Sequence, residues 1–300
     1  MRPERKLPPG LLLLSAFLSL GVFAAPEPTA TNTTHHTLWK VAGPHTTVYL
    51  LGSIHVLKPS NYPLAPVIES AFSNATTAVF EADIDEMQQP DTQMKMLTKA
   101  RLPEGVTLQQ VLTTNTYHEL EKHATDAGLP LAMLSGLKPF MAVMTLEVLE
   151  MQKLGLDPDF GVDQHFFKLA RQAGKKIVPL ETVDFQVDLV TSLSQEEGEL
   201  VVKSTLEDID KTRQSLLDML AAWQTGDAPR LEKLLNEARQ EAPAIFKRMV
   251  TDRTARWAPR IGELANGEQP AIVIVGAGHL VGEGGLVDLL RKQGLKVVQE

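Results

Sequence analysis

Two short stretches of this chain carry residues able to do chemistry at a spacing that repeats. "TTVYLLGSIH" and "AIVIVGAGH" each close an apolar run with Gly-x-x-His, Gly52 to His55 and Gly276 to His279, near opposite ends of the sequence. With 20 glycines and 8 histidines in 300 residues, chance placement gives about half of one such pair. An imidazole is a proton carrier near neutral pH and a good divalent-metal ligand. A glycine before it lets the backbone turn sharply or approach a ligand closely. Two further apolar runs end in carboxylates, "TTAVFE" in Glu81 and "KKIVPLE" in Glu181. Neutral nitrogens and anionic oxygens meeting at one place could hold a divalent ion and its water. The same set could equally run metal-free acid–base chemistry.

These residues need strands to carry them and a shared sheet edge to bring them together. "TLWKVAG" and "TTVYLLG", separated by Gly43-Pro44-His45, read as a hairpin. "TTAVFEAD" and "KKIVPLET" read as the next strands, and "AIVIVGAGH" and "LKVVQE" as the last two. Between them the pattern is helical: one helix over Leu108 to Ala127, a more apolar one over Leu137 to Leu154, "DFGVDQHFFKLARQAG" stopped by Gly174, and helices throughout 187–265. Strands at both ends around a helical middle predict an α/β chain, with α+β as the variant. In it, N- and C-terminal strands share a central sheet that carries large helical insertions. Open α/β sheets place ligands at the carboxyl ends of their strands, where His55, Glu81, Glu181 and His279 all fall.

Composition narrows the chemistry. There are no cysteines, which excludes disulfides, thiolate nucleophiles and thiolate zinc sites. Arg2, Arg5 and Lys6, the apolar stretch Leu11 to Phe23 and the small-residue end at Ala24 predict an export signal over 1–24. Residues 25–36, rich in Pro, Thr and Asn, predict a disordered linker, and 37–300 a single domain. The expected location is therefore periplasmic or secreted, with no stable membrane insertion after cleavage. The whole chain carries −8; removing 1–24, with Arg2, Arg5 and Lys6 against Glu4, leaves about −10. So acidic a chain is no nucleic-acid binder.

Several look-alikes fall away. "GAGHLVGEGG" spaces its glycines one residue too widely for a dinucleotide loop, and too little chain follows it. "HELEKH" puts Lys122 where a zincin helix needs its second histidine. No G-x-S-x-G elbow and no Walker loop occur. His165 neighbours Phe166 and Leu169 on an apolar face and reads as structural. Asp163, in the first turn of its helix, either caps it or reaches a ligand. Arg253, by default a solvated arginine, is alternatively an anion or substrate contact.

The combination "LLGSIHV", "VFEADI", "GVDQHFFKLARQAGKKIVPLETVDFQ", "DRTARW" and "VGAGHLVGEGGLVDLLRKQG" resembles the TraB/GumN family, within the Tiki-like superfamily of metallo-hydrolases. The resemblance runs over essentially the whole chain after the signal. It implies an α/β fold with its site at Gly52–His55, Gly276–His279 and Glu81. Asp163, Glu181, Gln186 and Arg253 match further family positions. Thr254 departs from the asparagine expected after the arginine. The resemblance implies a hydrolase acting on a peptide or small molecule with a related carbonyl. His55 and His279 would bind a divalent ion, Mn, Co or Zn, helped by Glu181 or Asp163. Glu81 would be the general base or a ligand, with Arg253 meeting a substrate carboxylate. Two alternatives stay open: an esterase-like hydrolase with a histidine base and no metal, and a periplasmic module that binds a peptide or metal without turnover.

Overall fold

A computed structural model describes residues 35–206 and 209–300. The expected signal over 1–24 lies outside the described residues, as does the linker up to residue 34. Six strands form one sheet: β1 (Leu38–Ala42), β2 (Thr47–Ser53), β3 (Thr77–Phe80), β4 (Lys176–Pro179), β5 (Ala271–Gly276) and β6 (Lys296–Gln299), in the order β4-β3-β5-β2-β1-β6. The first four in that order run parallel, and β1 is antiparallel to both β2 and β6. The expected union of N- and C-terminal strands is therefore present, in a mixed sheet.

Burial explains the sequence of each strand. Central β5, AIVIVG, and β3, TAVF, are buried at every position, as parallel strands covered on both faces must be. β1, nearer the edge, keeps Lys40 partly buried and Ala42 exposed. Removing a ring such as Phe80 or Phe166 from water stabilises the fold by about 1.5–3 kcal/mol each, and both are essentially inaccessible.

Register decides where the carboxyl ends fall. Ser53 pairs with Gly276, and Phe80 with both Ile274 and Pro179. Pairing continues past β3 and β4, with the amides of Leu180 and Glu181 donating to the carbonyls of Phe80 and Glu81 at 2.8 Å each. Four parallel strands thus end within two residues of one another, and the residues just past their ends lie along one edge.

The helices cover both faces. Three matter for that edge: α1 (Val162–Gln172), α2 (Ile209–Gln224) and α3 (Asp252–Ala265). One helix expected over Leu108 to Ala127 is two, Leu108–Val111 and Thr114–Asp126. The break is tertiary in origin. Glu199, from the helix Gln195–Leu206, accepts hydrogen bonds from the Thr113 amide at 3.0 Å and from its hydroxyl at 2.7 Å. Thr113 thereby caps the second helix. Among the described residues no helix is long and apolar enough to cross a membrane.

The helical middle is tied to the end of β2 by a closed set of bonds. The indole Nε1–H of Trp223, in α2, donates to the Gly52 carbonyl at 2.7 Å, and the Thr37 hydroxyl donates to the Trp223 carbonyl at 2.7 Å. The Gly52 amide donates to the Thr37 carbonyl at 2.9 Å. Gly52 is required here by crowding: a Cβ would lie 2.4 Å from Thr37 Cγ2 and 3.1 Å from Ala277 Cβ. Gly52→Ala should therefore destabilise the protein by about 1–3 kcal/mol. Urea denaturation checks this, and an unchanged midpoint would show that Thr37 yields freely.

Candidate functional site

Residues one to three positions past the ends of the parallel strands, Glu81 after β3, His55 and Glu181 after β2 and β4, and His279 after β5, contribute to two adjoining side-chain clusters. The first is built around His55. Past Ser53 the chain zips against the segment before α1: the Val162 amide donates to the Ile54 carbonyl at 2.9 Å, and the Asp157 amide to the Leu57 carbonyl at 3.0 Å. Gly161 permits this approach, since a Cβ there would sit 2.5 Å from the His55 carbonyl oxygen. The first turn of α1 is thus pressed under His55. Asp163 Oδ1 accepts from the Ser53 hydroxyl at 2.8 Å and lies 3.0 Å from His55 Nδ1. The helix takes Gly161 as its N-cap, so Asp163 faces the histidine and does not act as the cap.

Electrostatics follow from this contact. Burial would depress the His55 imidazole, but the Asp163 carboxylate, helped by Glu81, outweighs it and raises the pKa to about 9. Burial works against Asp163 ionisation, yet His55 and the Ser53 hydroxyl hold its pKa below the ordinary value. With Nδ1–H donated to Asp163, Nε2 is left towards the open side, where the side chain is 31% exposed. Nε2 has no hydrogen-bond partner among the described residues.

The second cluster is centred on Arg253, only 5% exposed in α3. Its Nε–H lies between the two Glu181 oxygens at 3.1 and 3.0 Å. Nη2 reaches Glu81 Oε2 at 2.5 Å and Glu181 Oε2 at 2.8 Å. Nη1 donates to the Met249 carbonyl at 3.0 Å and meets His279 Nε2 at 3.3 Å. A guanidinium has five N–H bonds, and all five are used. The expected contact between Arg253 and a substrate carboxylate therefore has no donor left to make it. Burial raises the pKa of Glu81, but Arg253 overcomes this and holds the carboxyl well below its usual range. The Gly276 amide donates to its other oxygen at 2.7 Å.

His279 is oriented through Thr254. The Thr254 hydroxyl has one proton and gives it to the Val250 carbonyl at 2.7 Å. Toward His279 Nδ1, also at 2.7 Å, it can only accept. Nδ1 therefore carries the hydrogen, and the Nε2 lone pair points at Arg253. Burial lowers the His279 pKa to about 3, so the ring is neutral and packs 4.4 Å from Trp257. A threonine where asparagine was expected does a definite job.

Arg253 and Thr254 reach these partners after a π-helical turn, Lys247–Thr251. One extra residue in that turn rotates all that follows, a device frequent at functional sites. Gln186 donates to Glu181 Oε2 at 2.8 Å, and Trp257 Nε1 to Oε1 at 3.1 Å. His165 stacks on Tyr62 with ring centres 4.2 Å apart, in the structural role expected of it.

All six expected residues thus lie along the same sheet edge, divided between the clusters. His55 and Asp163 form one; Glu81, Glu181, Arg253 and His279 form the other, with the Glu81 charge felt by both histidines. Among the described residues no three His, Asp or Glu side chains stand together as a metal-ligand group. The cause is visible: Arg253 lies between Glu81, Glu181 and His279, and Glu181 has all its acceptor positions filled by N–H donors. As they stand, these residues do not fit a divalent ion. Ser53, Trp257 and the Met249 carbonyl escaped the sequence reading. Ser53 is an unspecified position of Gly-x-x-His, and Trp257 stands in the quoted "DRTARW".

Removing the Asp163 charge leaves burial of His55 opposed by Glu81 alone. Asp163→Asn should bring the His55 pKa down from about 9, as followed by NMR titration of its ring nitrogens. The sign for stability is set because the folded pKa exceeds the unfolded value. The contribution is full below about pH 6.5 and fades as pH rises through about 9. His55→Gln should thus cost more stability at pH 6 than at pH 9.5 in parallel urea titrations; equal losses would contradict the pairing.

The TraB/PrgY/gumN family model matches residues 37–299. YbaP of Escherichia coli is 24% identical over 243 residues, spanning 81% of this chain and 87% of that protein. A Treponema pallidum protein is 21% identical over 274 residues, 86% of this chain and 80% of its own. Metalloprotease TIKI2 of Danio rerio is 23% identical over 313 residues, 87% of this chain and 60% of that protein. No solved structure matches. With a single family model covering the whole sheet and every residue of both clusters, the chain belongs to the TraB/PrgY/gumN family.

Proposed function

We propose that the protein is an exported hydrolase that cleaves a peptide bond or a related carbonyl substrate at the carboxyl edge of its sheet. The observation that carries this reading is the His55–Asp163 pair, 3.0 Å apart with His55 partly exposed. Family membership and the name of the zebrafish relative, Metalloprotease TIKI2, support hydrolysis.

In this reading His55 handles the proton. In its neutral form, with Nδ1–H held by Asp163, Nε2 takes a proton from water. The water oxygen bonds to the carbonyl carbon, and the carbonyl π pair moves onto its oxygen. When that pair returns, the bond to the leaving nitrogen or oxygen breaks and His55 gives it the proton. The intervening imidazolium faces Asp163 and Glu81, whose charges stabilise it. Glu81, expected as the base or a ligand, is held ionised by Arg253 and is thus a weak proton acceptor; it acts by charge. No step is routed through a metal, because the donor set does not fit one as it stands.

Turnover of a panel of peptides and esters, with pH profiles, tests this mechanism. His55→Ala should lower kcat/KM by about 10²–10⁴. The free enzyme's kcat/KM should climb with pH and level above about 9, because the working base is the deprotonated ring. No turnover by the panel, or a profile falling between pH 7 and 9, would sink the proposal. For export, the basic and apolar start predicts removal of residues 1–24. Mass spectrometry of the protein recovered from cells should give a chain starting at Ala25, whereas an intact Met1 in the exported fraction would contradict it.

A further inference from the structure

The disagreement between the expected divalent ion and these side chains has one source, the Arg253 guanidinium. Two carboxylates and a neutral imidazole nitrogen surround it: Glu181 as a two-point partner, Glu81 through Nη2, and His279 Nε2 at 3.3 Å from Nη1. That is the donor chemistry a divalent ion would use, turned inward on an arginine. The surroundings are built for the guanidinium. Trp257 lies under its face at 4.8 Å, the Met249 carbonyl takes one N–H, and Gln186 and Trp257 hold Glu181 from behind. Thr254 sets the His279 tautomer so that its lone pair accepts from Nη1. For a metal to enter, a side chain 5% exposed would have to abandon five bonds and leave a buried charge unpaired, which proteins avoid.

We propose that Arg253 is the resident cation of this site, filling the box of Glu81, Glu181 and His279, so that the box becomes a divalent-metal site only when the arginine is removed. Binding is measured without substrate, so failure of this assignment and failure of the hydrolase reading are distinguishable.

The full mature chain is stripped with EDTA, exchanged into chelator-free buffer and offered MnCl₂, CoCl₂ or ZnCl₂. Bound metal is counted by mass spectrometry after gel filtration, and Tm is read with and without each ion. Wild type should hold no stoichiometric metal in the box and show no metal-dependent Tm. Arg253→Ala should take up close to one equivalent, and its Tm should rise by more than about 3 °C at saturating ion. Adding Glu181→Gln should abolish both gains. Arg253→Met, which retains packing on Trp257, serves if the alanine variant does not fold. Arg253→Lys, with its ammonium in the box, should stay metal-free. One equivalent in wild type that disappears in His279→Ala or Glu81→Gln would overturn the proposal. So would a folded Arg253→Ala or Arg253→Met protein that takes up no metal. Metal in wild type that survives both His279→Ala and Glu81→Gln lies outside the box and leaves the assignment standing.

Discussion

The buried guanidinium of Arg253 is the interaction on which the rest of this edge depends. It joins the carboxylates that end β3 and β4 to the histidine that follows β5, and it does so from a helix of a different part of the chain. Desolvation offsets much of the Coulombic attraction in such a pair. Its weight appears when it is broken: removing one partner of a buried pair costs about 3–5 kcal/mol, because the other is left charged and unpaired. The Glu81 carboxylate, the Glu181 carboxylate and the His279 lone pair are therefore held in one arrangement, and Trp257, Gln186 and Thr254 are secured around them.

That arrangement divides labour between the two histidines, which the Gly-x-x-His repeat had made look alike. Both follow a parallel strand at the same level of the sheet. His279 is enclosed, neutral and committed to Arg253 and Thr254. His55 is partly exposed and sits on a carboxylate, with its ring basicity raised. The same side chain is held neutral in one place and made more basic in the other, because burial dominates one and Asp163 the other.

The helical middle serves this edge as well as covering the sheet. The indole of Trp223 holds the carbonyl of Gly52, three residues before His55. The segment 157–162 pairs with the loop that carries His55. Position and chemistry are thus set by contacts between elements far apart in the chain, and a shift of the helices would be felt at the histidine.

Much of this was legible in the residues themselves. Short apolar runs ending in Gly-x-x-His or Glu and bounded by turn residues read as strands, and parallel strands covered on both faces carry continuous apolar side chains. Strand ends of parallel sheets are where ligands go; that logic assigns His55, Glu81, Glu181 and His279 to one edge, and the register of the strands brings them there. What the sequence could not determine was which charged groups would pair. Asp163 reads equally as a helix cap until packing presses its helix under His55. Arg253 reads as solvated until a π-helical turn rotates it inward. The expected metal ligands included Glu181, whose acceptors prove to be filled by Arg253, Gln186 and Trp257. Local pattern reports which residues are apolar and how they alternate; charge pairing depends on distances between segments that only the folded chain brings together.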